Sequence, residues 1–262
     1  MSYALITGAS KGIGKAMAAS LAGRKFNLLL VARSGQLLQD TAEDLILRFG
    51  IQVQWLAIDL ADPGAVGEIL KWIQVNQFPV SVLINNAGYG LWGNFTDRSA
   101  EDWNNMLQLN ILTLVKLTHG MIPILLLQPK KYILNVGSTA GFQAIPTLSL
   151  YAGSKALVNI FTRGLSHELK DLGISVTLLA PGSVKTDFVR RSGMVHMQEF
   201  ADRMSMEPGI VAEKAIKAML QGKREIIPGR TNRFSVSMVR LMPRSMIERL
   251  AGSLYRVKEK PV

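Results

Sequence analysis

Tyr151 and Lys155, in the stretch YAGSK, stand four residues apart at the start of the apolar-periodic run SLYAGSKALVNIFTRGLSHELK. On a helix this spacing puts a phenol and an ammonium on one face, about 6 Å apart along the axis, where the two heads can share a site. The competing reading of such a pair is a surface tyrosine beside a snorkelling lysine, so the rest of the chain has to decide. A second group of residues is suited to phosphate. Thr7–Gly14 reads TGASKGIG, a GxxxGxG spacing in which Gly8 makes the tight turn, Gly12 admits a pyrophosphate to the backbone and Gly14 lets a helix lie close to the preceding strand. Ser10, Lys11 and Ile13 then belong to a helix start whose N–H groups face the phosphates.

Other candidate groups follow the ends of further apolar runs. After NLLLVA, an acid would bond the ribose 2′-OH of NAD; this chain has Ala32, then Arg33 and Ser34. Arg33 offers a fork of donors to a 2′-phosphate, with Lys11 in reach of the same group. One charge-assisted bond of this kind is worth about 1.5–3 kcal/mol, roughly a tenfold to hundredfold preference for NADPH. Asp59, followed by Leu60, could accept from an adenine amino group. Asn85 and Asn86 need backbone or ligand partners, while Ala87-Gly88 permits close approach of a ribose.

The elements that must position these groups alternate in type. YALIT, NLLLVA, VQWLAIDL, VSVLINNA, YILNVGS, ISVTLLAPG and REIIPG read as seven strands, separated by helical patterns. Such alternation means right-handed crossovers and a parallel sheet, and continuous apolar strands mean a sheet covered on both faces. The expected fold is α/β: one doubly wound Rossmann-type domain over residues 1–262, seven parallel strands with helices on both faces, and a helical C-terminal tail. Ligands in such a sheet bind at the carboxyl ends of the strands, where strand order reverses.

Composition removes several classes. Hydrophobic residues make up 48% of the 262, which suits a globular chain. Without cysteine there is neither a disulfide nor a thiolate metal site, and His119, His167 and His196 are scattered, so no metal is expected. The N-terminus lacks a basic region and cleavage pattern, so no signal peptide is read. Residues 111–127 are apolar but broken by Lys116, His119, Gly120 and Pro123, which reads as a buried stretch of a long helix through residues 107–127. The expected location is cytoplasmic.

In order and spacing, TGASKGIG, Asp59-Leu60, NNAG, Asn110, Ser138, YAGSK and PGSVKT resemble the short-chain dehydrogenase/reductase family, over roughly residues 3–187. The resemblance implies an oxidoreductase with Asn110, Ser138, Tyr151 and Lys155 as its catalytic set. Tyr151 would be the proton donor or acceptor at the substrate oxygen, with its phenol depressed by Lys155, which also holds the nicotinamide ribose. Ser138 would steady the carbonyl, and Asn110 would hold a water in the relay through Lys155. Pro181, Gly182, Val184 and Thr186 would hold the nicotinamide. Gly137 departs from the family, which often carries a second serine there.

Together these readings give an NADPH-dependent carbonyl reductase; the alternatives are an NAD-dependent alcohol dehydrogenase and a non-catalytic cofactor-binding regulator. Residues 184–209 take the place of a substrate lid. Met194, Met197, Met204 and Met206, with Phe142, Trp92 and Leu148, are candidates to line an apolar pocket, or else pack the lid on the body. His196 has no evident partner.

Net charge is +11, and from residue 223 onward ten basic residues face three acidic ones. The basic helical tail, 230–262, is expected at an oligomer contact, with peripheral membrane binding the less favoured role. It carries no aromatic platform, so no nucleic-acid partner is expected. The expected partners are a small carbonyl substrate and further copies of the chain, as a homodimer or homotetramer.

Overall fold

In the computed structural model, residues 2–194 and 205–255 are described. They form seven parallel strands in the order β3-β2-β1-β4-β5-β6-β7. In chain order the elements are β1 (Tyr3–Thr7), α1 (Gly12–Ala22), β2 (Asn27–Ala32), α2 (Gly35–Phe49), β3 (Val53–Ala57), α3 (Ala65–Val75) and β4 (Val80–Asn85). Then come α4 (Ala100–Leu107), α5 (Leu114–Leu126), β5 (Lys131–Val136), α6 (Ser149–Glu168) and β6 (Ile174–Leu179). The remainder is α7 (Phe188–Ser192), α8 (Pro208–Leu220), β7 (Glu225–Ile226), α9 (Arg230–Leu241) and α10 (Arg244–Tyr255).

All residues of β1, β2 and β4 are buried, as strands covered on both faces must be, whereas the edge strand β3 buries only Val53 fully. One core fills the side of α1, α2 and α8; the other fills the side of α3, α5 and α6. Strand order reverses between β1 and β4, so the crevice beyond their carboxyl ends is where this architecture binds ligands.

The expected long helix through residues 107–127 is corrected in one respect. Between α4 and α5 the chain makes a π-helical turn over Gln108–Thr113, and Asn110 lies in it. A π turn inserts a residue into the helix, which re-aims the side chains on either side of it. The segment Ala100–Leu126 is long and apolar enough to cross a membrane, yet Met106, Leu117, Met121 and Leu125 are completely buried against the body.

A buried polar ladder crosses the sheet below the crevice. Asn85 Nδ2 donates to Thr118 Oγ1 and to Asn135 Oδ1, each at 2.9 Å, and Asn135 Nδ2 donates to Thr162 Oγ1 at 3.0 Å. Asn85 is thus satisfied by side chains of α5 and β5, not by the backbone or a ligand as expected. The ladder fixes α5 and α6, which flank the candidate catalytic groups, to the strands beneath.

Candidate active site

The turn after β1 is built by contacts that exclude a side chain at two glycines. Gly8 has φ +66, and a Cβ there would lie 2.8 Å from Asn86 Nδ2. At Gly14 a Cβ would lie 2.3 Å from the Gly8 carbonyl oxygen, so α1 can start against the turn only with glycine. Thr7 and Asn86 stitch this turn to the end of β4. Asn86 Nδ2 donates to the carbonyls of Thr7 and Gly8 at 2.9 and 3.1 Å, and Thr7 Oγ1 accepts the N–H groups of Asn86 and Ala87 at 3.0 and 3.1 Å. Lys11, the residue before α1, makes no side-chain cap, and the first turn contains no acid. The helix start therefore keeps donors and a positive dipole end for an anion.

A cavity of about 730 Å³ runs from this turn to Tyr151. Every residue expected at the cofactor borders it except Gly14, whose place is behind the turn. Ser138 also borders it; Asn110 does not. Arg33 is exposed beside Asp59, with Nη1 3.6 Å from Oδ2, and Asp59 Oδ1 accepts the Ala61 N–H at 3.0 Å. Lys11 reaches the other way, to Asp187 Oδ2 at 3.1 Å, and this bond holds the Asp187 carboxyl below its usual range. The ion pair ties the glycine turn to the segment before α7.

The candidate catalytic residues come from three elements. Ser138 follows β5, and its Oγ accepts the Ala140 N–H at 3.0 Å. Tyr151 and Lys155 lie on consecutive turns of α6, both buried, and the Tyr151 ring is tilted against Phe188 with centroids 5.3 Å apart. Asn110 holds the backbone of Tyr89: its Oδ1 accepts the Tyr89 N–H at 3.1 Å, while Nδ2 donates to the Tyr89 carbonyl at 2.9 Å and to Ser154 Oγ at 3.2 Å. A Cβ on Gly88 would lie 3.0 Å from Asn110 Oδ1 and 3.4 Å from Lys155 Nζ, so these two groups converge around Gly88.

The expected depression of the phenol by Lys155 is not found in the protein alone. Burial pushes Tyr151 up to about 12, with Ser138 opposing the shift as a hydrogen-bonding neighbour. Burial also pulls Lys155 down to about 8. The physical reason is that loss of water is the largest effect on both groups, and the Lys155 ammonium is turned to the Val136 carbonyl, to which Nζ donates at 2.9 Å.

Two groups escaped the sequence reading. Asn159 brackets Ser138, donating from Nδ2 to its carbonyl at 3.0 Å and accepting its N–H on Oδ1 at 3.4 Å. The signal was available, since Tyr151, Lys155 and Asn159 repeat at four-residue spacing on one helix face. Tyr255, at the end of α10, borders the cavity, as do Val236 and Val239 of α9. Nothing in the sequence spacing ties residue 255 to residue 151. The tail as far as Tyr255 thus borders this chain's own cavity, and it leaves Phe234, Leu241, Met246 and Leu250 exposed on faces where the expected oligomer contact could form.

Of the methionines expected at the pocket, Met194 borders the cavity. Met206 instead pairs with Val184 in an isolated bridge and packs on the core under α8. Phe142 packs with Leu178, Ala180, Ile227 and Val236, has the Arg163 guanidinium 5.1 Å from its ring centre, and does not itself border the cavity. Trp92 packs behind the wall and Leu148 lines it. His119 and His167 are exposed. His196, Met197 and Met204 lie outside the described residues, as do residues 256–262 with Arg256, Lys258 and Lys260.

Comparison with known proteins places this geometry. A family model described as short chain dehydrogenase matches residues 2–194. An uncharacterized oxidoreductase of Staphylococcus aureus (strain USA300) is 30% identical over 220 residues, covering 84% of this chain and 91% of that protein. A short-chain dehydrogenase from Sphingobium yanoikuyae, solved in complex with NADPH, has a TM-score of 0.81 at 26% identity, covering 100% of this chain and 98% of that one. An alcohol dehydrogenase from the archaeon Thermococcus sibiricus, complexed with 5-hydroxy-NADP, has a TM-score of 0.76 at 26% identity over 87% and 95% of the two chains.

Proposed function

Because the chain belongs to the short-chain dehydrogenase family, we propose that it is an NADPH-dependent carbonyl reductase with Tyr151 as its general acid. The observation that carries this reading is one continuous cavity bordered at one end by the glycine turn and Arg33 and at the other by Ser138, Tyr151 and Lys155.

The residues present fit a pyridine dinucleotide. Gly8 and Gly14 keep a cradle that any side chain would fill, and the start of α1 offers its N–H groups to phosphate. Arg33 stands where an acid would select the unphosphorylated ribose, which supports NADPH, as do the NADP-type ligands of the Sphingobium and Thermococcus proteins. Asp59, Ala87, Gly88, Pro181, Gly182, Val184 and Thr186 complete its walls. When bound, the dinucleotide supplies the hydride for the carbonyl carbon.

The chain's own residues handle the oxygen. The hydroxyls of Ser138 and Tyr151 hold the carbonyl oxygen, and the Tyr151 proton passes to it as charge develops. Burial pushes the phenol up to about 12, so Tyr151 carries its proton at neutral pH and can donate it to the oxygen. Lys155, at about 8, is a proton source of suitable strength one helical turn away. Asn110 acts as a positioning residue by fixing Tyr89 beside Gly88.

Tyr151→Phe tests the assignment. NADPH oxidation against a panel of ketones and aldehydes should fall by about 10²-fold or more, with the dissociation constant for NADPH unchanged. Undiminished turnover in this variant would end the general-acid reading.

A further inference from the structure

We propose that the end of α10 supplies a substrate-recognition residue, Tyr255, whose hydroxyl binds a second oxygen on a ketone that is otherwise apolar. This rests on the reductase reading above and names the substrate class for the same site. Beside Tyr151 the cavity wall is apolar: Ile145, Leu148 and Met194 belong to the cluster that contains Tyr151, and Tyr255 packs against that cluster. Thr139, Gln143, Asn232 and Ser235 also border the cavity and supply polar groups elsewhere on its wall.

Tyr255 is held in place by its backbone. As the last residue of α10, its carbonyl has no intrahelical partner. Two side chains reach it: Trp92 Nε1 donates at 3.1 Å, and the Thr147 hydroxyl at 2.8 Å shares its one proton between this carbonyl and that of Pro146 at 2.6 Å. They come from the loop after β4 and the loop before α6, so the helix end is tied to both walls of the site. Thr147 has φ +67, a conformation that costs a β-branched residue of order 1–3 kcal/mol and persists only where the surroundings enforce it. The Thr147 carbonyl in turn accepts the Gly93 N–H at 3.0 Å.

With its backbone fixed, the ring is left to face the cavity. The Tyr255 hydroxyl has no hydrogen-bond partner among the described residues. A largely buried phenol that borders an apolar wall loses free energy unless a ligand atom meets it, and its O–H can both donate and accept. Burial raises the Tyr255 pKa, which keeps its hydroxyl protonated, and both phenols border the same cavity. A substrate bound there meets Ser138 and Tyr151 at its reacting carbonyl and Tyr255 at a second hydroxyl or carbonyl. A site built to bond such a group discriminates against analogues that lack it.

The experiment uses NADPH with benzylacetone and its para-hydroxy derivative, and further aryl ketones matched with and without a distal hydroxyl. The wild type should favour the hydroxylated member by about tenfold in kcat/KM. Tyr255→Phe, which keeps the ring packing, should erase that preference through KM for the hydroxylated ketone and leave the plain one within about twofold. Thr147→Val, which removes one bond to the helix end, should weaken the preference in the same direction. A preference that survives Tyr255→Phe, an equal loss on both members of each pair, or no preference in the wild type overturns the assignment and leaves the reductase reading standing. If the wild type reduces none of these ketones, the reductase reading falls and this one with it.

Discussion

Tyr151 and Lys155 are both removed from water, and burial acts on their charges in opposite senses. Lys155 has a folded pKa of about 8 against an ordinary 10.5, so between those values the unfolded chain binds the extra proton and stability rises with pH. Tyr151 is raised from 10 to about 12, so above pH 10 its contribution falls again. Urea unfolding of the wild type and Lys155→Met at about pH 7.5 and pH 9.5 should show the wild type gaining about 2 kcal/mol relative to the variant. A flat difference would mean that Lys155 is not desolvated. Arg33 behaves otherwise, since its ion pair with Asp59 is exposed and contributes little to folding. Arg33→Ala should keep the melting temperature and weaken NADPH by about tenfold or more while leaving NADH unchanged, as read by fluorescence titration. Equal weakening of both cofactors would refute the 2′-phosphate role. At this scale the sequence revealed residue types at helical and strand-end spacing, which is why Tyr151, Lys155, Ser138 and Arg33 were legible. It did not reveal that Lys155 bonds the Val136 carbonyl, because that contact depends on where β5 passes α6.

The joint between β5 and α6 shows how an element is fitted to one side chain. Gly137 follows β5 where a serine is common in the family, and the structure gives the reason for the departure. A Cβ at Gly137 would lie 2.0 Å from Asn159 Oδ1 and 2.9 Å from Leu178 Cδ1. Asn159 thus takes the space of the missing side chain and uses it to hold the backbone of Ser138. Gly137→Ser should cost about 1–3 kcal/mol by overpacking, and adding Asn159→Ala should recover part of that loss, measured by thermal or urea unfolding. If Gly137→Ser left stability unchanged, the fit described here would be wrong. The strands β1, β2, β4, β5 and β6 were legible because each falls in an apolar run of five or six residues between helical patterns, whereas β7 is only Glu225–Ile226. The π turn at Asn110 was not, since apolar spacing along residues 100–126 reads the same whether or not one residue is inserted. The placement of α10 over the cavity was hidden for another reason: helices that alternate basic and apolar residues have several faces to which they could be applied.

The molecule as a whole buries two cores against one sheet, yet it leaves apolar side chains on the outer surface of the very helices that carry the candidate catalytic groups. Leu157 and Ile160 of α6 are 41% and 69% exposed, and Leu112 and Leu126, on the π turn and α5, are 46% and 40% exposed. The π turn packs beside α6, so these residues extend over neighbouring elements. An apolar strip of this kind suits a contact between copies of the chain, and we propose that a homodimer or homotetramer pairs through α5 and α6, with the exposed Phe234, Leu241, Met246 and Leu250 of α9 and α10 a second apolar surface. In a two-fold pairing each residue enters the interface twice, so one substitution acts twice. Burying an isoleucine side chain contributes about 1.5–3 kcal/mol, and a buried unpaired carboxylate costs more than that gain. Ile160→Glu should therefore convert the assembly to a monomer in light scattering at micromolar concentration while the melting temperature of the separated chain stays cooperative. It should also lower turnover, because α6 turns Tyr151 and Lys155 toward the cavity on its opposite face and would lose the partner that braces it. A wild type that scatters as a monomer, or an Ile160→Glu variant with unchanged mass, would remove α6 from the interface and leave the strip to some other partner.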